Sequence, residues 1–174
     1  MNNFILILGI GNTLMKDDAV GPMVIRRLQE LAEEGDPVLL LDGGTLSFTL
    51  LEALRRHESL IVVDAARLGL APGEWRLLRG EAMDRYLRSG RRSAHEVGLS
   101  DLLDMARLLG EVPTRRALIT IEAAEIAPGE GLSPAVAAAI EPVARTIRHL
   151  VGQWTPVSNP LIEESLHGQS CHVG

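Results

Sequence analysis

A chain of 174 residues is long enough for one domain with a substantial core. Apolar residues make up 46% but aromatics only 3%, so that core is aliphatic, and a net charge of -6 argues against a nucleic-acid or anionic-membrane surface. One cysteine, Cys171, excludes an internal disulfide, and neither a basic leader nor a run long enough to span a bilayer is present, so a cytoplasmic protein without membrane insertion is expected.

The first element is the apolar run Phe4 to Leu8, which reads as a strand. It leads into Gly9-Ile10-Gly11-Asn12-Thr13-Leu14-Met15-Lys16-Asp17-Asp18, a turn in which Gly11 favours a conformation closed to L-residues and Asn12 can fold its amide back on the backbone. A helix from near Ala19 follows, with Val20, Met23, Val24, Leu28 and Leu31 on one face and Gly35 as its stop. The Gly-x-Gly turn suggests a dinucleotide site, but the third glycine position holds Leu14, and two carboxylates stand where a pyrophosphate would need positive charge. Either Asp17 or Asp18 could be a helix N-cap; capping does not require both.

Val38-Leu39-Leu40-Leu41 reads as a strand buried on both faces, ending in Asp42-Gly43-Gly44-Thr45. Asp42 is either a turn residue or part of a site. Ser47 to Arg56 reads as a short helix, and His57 as a surface residue, because His57-Glu58 is not completed to a zincin motif. A second doubly buried strand, Leu60 to Val63, ends in Asp64-Ala65-Ala66. Asp18, Asp42 and Asp64 thus recur at equivalent strand ends, the edge where sites form in parallel sheets.

Glu74 to Leu78 alternates and follows without a crossover, so it reads as an antiparallel edge strand. Gly80 to Ala94, polar and rich in arginine, reads as a loop with one helical turn around Met83 to Leu87. His95 precedes a helix with the face Leu99, Leu102, Leu103, Ala106 and Leu109, stopped by Gly110. Ala117 to Ile121 is the last strand. Ser133-Pro134 opens a helix carrying Val136, Ile140, Val143, Ala144, Ile147 and Val151. One domain over residues 1–154 is expected, with residues 155–174 a flexible tail holding His167, Cys171 and His172.

No serine-hydrolase elbow and no Walker loop is present. Two carboxylates, Asp18 and Asp64, and the imidazole of His95 suit a first-row divalent ion with open coordination positions, with Asp42 close by. They are too few for a closed structural site.

Taken in order, Gly9-Ile10-Gly11-Asn12, Asp17-Asp18-Ala19-Val20-Gly21, Asp42-Gly43-Gly44-Thr45, Val63-Asp64-Ala65 and Ser93-Ala94-His95-Glu96-Val97-Gly98-Leu99 resemble the [NiFe]-hydrogenase maturation endopeptidases. The late segment with Pro128-Gly129 and Gly131-Leu132-Ser133-Pro134 is similar too, so the resemblance runs from Phe4 to about Val151. It implies a three-layer α/β/α sandwich around a twisted, mostly parallel five-stranded sheet. It also implies removal of a C-terminal extension from the hydrogenase large-subunit precursor after nickel insertion. The family's metal-contacting positions fall on Asp18, Asp64 and His95, with Asp18 a methylene shorter than the Glu of some members. Asp42 is implicated near the cleft, and the nickel is carried by the substrate rather than held tightly by the enzyme. The residues alone also permit a non-proteolytic nickel chaperone or checkpoint module, and more distantly a nucleotide-binding module.

Overall fold

The alternation of aliphatic runs with amphipathic stretches produces a five-stranded sheet between two layers of helices. The computed structural model describes residues 2–44, 49–89 and 94–155. The strands are β1 (Asn2–Ile10), β2 (Val38–Gly44), β3 (His57–Ala66), β4 (Trp75–Arg79) and β5 (Arg115–Glu122). The helices are α1 (Val20–Leu31), α2 (Thr49–Arg55), α3 (Glu81–Arg88), α4 (Ala94–Leu108) and α5 (Pro134–Trp154). Strand order is β2-β1-β3-β5-β4, with β4 alone antiparallel, on β5. This is the expected α/β/α sandwich, and the alternating segment near Trp75 is its antiparallel edge.

Strand side chains alternate between faces. Ile5, Ile7, Ile61, Val63 and Ile119 face one side and pack with Val20, Val24, Leu28, Val143 and Ile147 of α1 and α5. Leu6, Leu8, Leu60, Val62 and Leu118 face the other and meet Leu54, Met83, Leu87, Leu99 and Leu103 of α2, α3 and α4. Each such side chain contributes roughly 1.5–3 kcal/mol by burial. A one-residue slip would exchange the two sets, so the double core also fixes the register. The four parallel strands bring their C-terminal ends to one edge, which carries the candidate site.

Several expectations are corrected. β2 is an edge strand, not one buried on both faces: Leu39 is 38% exposed, and Val38, Leu40 and Leu41 are only partly covered. His57 is buried, not on the surface. It starts β3 two residues after α2 ends, and its Nδ1–H donates to the Ala53 carbonyl at 2.6 Å, satisfying an acceptor that the end of a helix leaves open. Within the basic stretch after Gly80, Glu81–Arg88 is a helix, because Met83 and Leu87 are one turn apart and both are buried. α1 ends at Leu31, before Gly35, whose positive φ serves the separate turn Glu33–Asp36. Leu109 lies outside α4 and is exposed. The segments 45–48 and 90–93 and the tail from Pro156, with His167, Cys171 and His172, lie outside the described residues.

Gly21 sets how closely α1 approaches β1, and Gly11 how closely the following turn folds back. A Cβ on Gly21 would lie 2.2 Å from the Ile10 carbonyl oxygen, so Gly21 supplies the close helix–strand approach for which position 14 looked unsuited. Gly11 has φ 145°, and a Cβ there would lie 1.8 Å from the Asp18 carbonyl oxygen. Gly11→Val is therefore expected to lose about 1–3 kcal/mol through backbone strain alone, with steric overlap adding to it and displacing Asp18. A lowered urea midpoint together with lost peptidase activity checks this, and an unchanged midpoint would refute it.

Candidate active site

Asp18 reaches the site through a 3₁₀ turn, Lys16–Ala19, inserted between β1 and α1. Consecutive residues on such a turn point about 120° apart, so adjacent aspartates must go to different places. Asp17 goes inward. It is fully buried, and it accepts backbone N–H groups from Ala124 at 2.9 Å, Glu125 at 2.8 Å and Ser133 at 2.6 Å. Burial pushes its pKa up, but these hydrogen bonds outweigh that and hold it below the ordinary Asp value. Neither aspartate is a side-chain N-cap: Asp17 fastens the β5–α5 loop to the turn. The Ser133 hydroxyl likewise makes no capping bond to α5.

Asp18 faces the sheet edge. Its Oδ2 accepts the Asn12 N–H at 2.8 Å, which orients the carboxylate, while Asn12 Oδ1 accepts the Leu14 N–H at 2.9 Å as the sequence led one to expect. Asp64 lies near the end of β3, at the centre of the sheet. Alternation puts it on the face of Leu60 and Val62, toward α4. His95 is the second residue of α4 rather than a loop residue before it. Its Nδ1 lies 3.7 Å from Asp18 Oδ1 and 3.6 Å from Asp64 Oδ1. One ligand atom from each of the three residues falls within 4.8 Å of the others.

These separations exceed hydrogen-bond length. They leave room for an ion, since donors at roughly 2.0–2.2 Å from a common metal stand about 3–4 Å apart. The side chain of Asp64 is 1% exposed and that of His95 is 18%, so the cluster is open on the imidazole side. Two oxygens and one nitrogen suit a borderline divalent ion and leave positions for ligands from elsewhere.

Asp42 occupies the same edge but is not in this group. It is in register with Gly9, as is Val63, so alternation puts it on the opposite face from Asp64. It is exposed, and its Oδ1 accepts the Gly44 N–H at 2.9 Å. A cavity of about 300 Å³ lined by Leu28, Leu31, Val38, Leu40 and Val151 lies at the other end of α1, remote from these donors.

Fold and site together define a three-layer α/β protein with two carboxylates and an imidazole converging at the C-terminal edge of its sheet. The family model described as hydrogenase maturation protease matches residues 22–149. The hydrogenase 2 maturation protease of Escherichia coli is 35% identical over 144 residues, covering 82% of this chain and 87% of that protein. The hydrogenase expression/formation protein HupD of Rhodobacter capsulatus is 35% identical over 170 residues, covering 93% and 81%. Among solved structures, the hydrogenase maturating endopeptidase HybD of E. coli superposes with a TM-score of 0.81 at 33% identity, covering 86% of this chain and 93% of that one. The [NiFe] hydrogenase maturation protease HybD of Thermococcus kodakarensis gives 0.72 at 32% identity, covering 85% and 99%. The chain belongs to the hydrogenase maturation protease family, and it is an endopeptidase.

Proposed function

We propose that this endopeptidase removes the C-terminal extension of a [NiFe]-hydrogenase large-subunit precursor once nickel has been inserted, and that Asp18, Asp64 and His95 engage that nickel. The observation that carries this reading is the convergence of three donors, from three separate chain segments, within 4.8 Å of one another. Such a set is too open to retain an ion by itself, and a precursor whose thiolates already hold nickel would complete the coordination. The bound ion anchors the precursor and can polarise the scissile carbonyl. Water then adds to the carbonyl carbon, the C–N bond breaks, and a proton passes to the leaving amine. A carboxylate such as Asp42, exposed on the same edge though on the opposite face from Asp64, would position or activate that water.

A cytoplasmic setting goes with this reading, because a cysteine-held metal centre is assembled where thiols stay reduced. Among the described residues no helix is long and apolar enough to cross a membrane. The test is mass spectrometry of nickel-loaded and metal-free precursor after incubation with the protein. Shortening of the loaded form alone is expected. Equal shortening of both forms would remove the nickel requirement. Shortening of neither would leave the donors to a nickel chaperone or checkpoint role.

A further inference from the structure

We propose that Leu14 is a substrate-docking side chain that receives an apolar residue of the precursor's C-terminal segment beside the bond to be cut; this rests on the function proposed above. Leu14 is 62% exposed, although it belongs to the turn that delivers Asp18. Both of its backbone groups are committed to that turn: its N–H donates to Asn12 Oδ1 at 2.9 Å, and its carbonyl accepts the Gly129 N–H at 2.9 Å. The next turn residues are fixed as firmly. Lys16 N–H donates to the Gly129 carbonyl at 2.9 Å, and Lys16 Nζ pairs with Glu125 at 2.6 Å.

Lys16 has φ 43°, a positive value that no other non-glycine residue among the described ones adopts. Strain of this kind persists only where the surroundings over-determine the backbone, and it gathers at ligand sites. The turn is thus held in an unfavourable shape by bonds that use its backbone and Lys16, and none of them needs the leucine side chain. What the shape achieves is a fixed backbone from which an apolar side chain reaches solvent.

That position is beside the donors. Asn12 bonds Leu14 through its amide oxygen and Asp18 through its backbone N–H, the latter at 2.8 Å. The other large apolar side chains exposed among the described residues lie elsewhere. Phe4 and Leu39 are near the starts of β1 and β2, and Leu108 and Leu109 are about 20 Å along the α4 axis from His95. Among the described residues, Leu14 is therefore the exposed large apolar side chain nearest in the hydrogen-bond network to the donors that would meet the precursor's nickel. A side chain carried on a backbone already held in place binds with less ordering cost than one on a mobile loop.

The experiment is steady-state cleavage of nickel-loaded large-subunit precursor by the full-length wild type, Leu14→Ala, Leu14→Asp, Leu14→Met and, as a control on a remote exposed leucine, Leu108→Ala. Leu14→Ala is expected to raise KM about tenfold with kcat nearly unchanged, and Leu14→Asp to raise it further. Leu14→Met, which keeps the volume, restores KM to within about threefold of wild type, and Leu108→Ala matches wild type. All variants are expected to keep the wild-type unfolding midpoint. Unchanged KM in both Leu14→Ala and Leu14→Asp overturns the inference, as does a lowered midpoint with lost kcat, which assigns the side chain to structure. Failure of the wild type to cleave is a different result: it overturns the proposed function and takes this inference with it.

Discussion

His95→Ala is expected to abolish cleavage of nickel-loaded precursor while leaving the fold intact. The residue lies in the first turn of α4, one turn before Leu99 and on the same face, but at the sheet edge, where its side chain is 18% exposed. It belongs to neither aliphatic cluster, so its removal opens no cavity among the packed core residues. It does remove the only nitrogen among the three gathered donors, and imidazole suits nickel better than carboxylate does. Asp18 and Asp64 would then face each other across the site without the ring that stands 3.7 and 3.6 Å from them. Outer-shell partners of a metal are typically worth about 10–100-fold in affinity or activity, and loss of a direct donor should exceed that. The checks are the cleaved fraction by mass spectrometry and far-ultraviolet circular dichroism on the same preparation. Undiminished cleavage by His95→Ala, with helicity preserved, would sink the metal-engaging role of the cluster.

The carboxylates were legible in the sequence because they follow strand ends. An aspartate recurs after each of the first three aliphatic runs, and parallel pairing brings those ends to one edge. The grouping of Asp18 and Asp64 with His95 was readable from residue chemistry, but the separation of Asp42 from that group was not. That depends on side-chain parity, which the register decides: Asp64 shares a face with Leu60 and Val62, whereas Asp42 follows Leu40 to the other side. Strand order was hidden for a related reason. Val38-Leu39-Leu40-Leu41 is as aliphatic as a central strand, and local hydrophobicity does not say which strand ends the sheet. The helix α3 was masked by its arginines, since two buried residues one turn apart are a weak signal within a basic stretch. His57 was misread because α2 passes into β3 with almost no loop, so a residue that looked like a connector begins a buried strand. The sharpest limit concerned Asp17 and Asp18. Sequence could show that two adjacent carboxylates exceed what a helix cap needs, but not that a 3₁₀ turn would send one inward and the other to the site.

That division gives the second large expectation: Asp17→Ala should cost more stability than loss of any surface ion pair, and it should also impair cleavage although Asp17 is not a site donor. The carboxylate is fully buried and receives three backbone N–H groups, from Ala124, Glu125 and Ser133, across more than a hundred positions of chain. Alanine removes the acceptor of all three; Ala124 and Glu125 lie in exposed chain, so water replaces part of what is lost, and a hydrogen bond to a charged group is worth about 1.5–3 kcal/mol. Allowing for water and for relaxation of the loop, a loss of about 2–4 kcal/mol is expected. By comparison, exposed pairs such as Arg56–Glu52 contribute about 0–1 kcal/mol. The functional effect follows from connectivity. Asp17 ties the loop after β5 to the turn, the turn carries Asp18, and the same loop meets Met15 and Lys16 through Gly129. Without that tie the turn loses the support that holds Lys16 at positive φ, and Asp18 loses its fixed position relative to His95. Urea unfolding of Asp17→Ala and Asp17→Asn at neutral pH tests the energetic part. Asparagine can accept on one side only, so it should recover part of the midpoint but not all of it. A wild-type midpoint for Asp17→Ala would show that the three N–H groups find other partners and that the loop does not depend on this carboxylate.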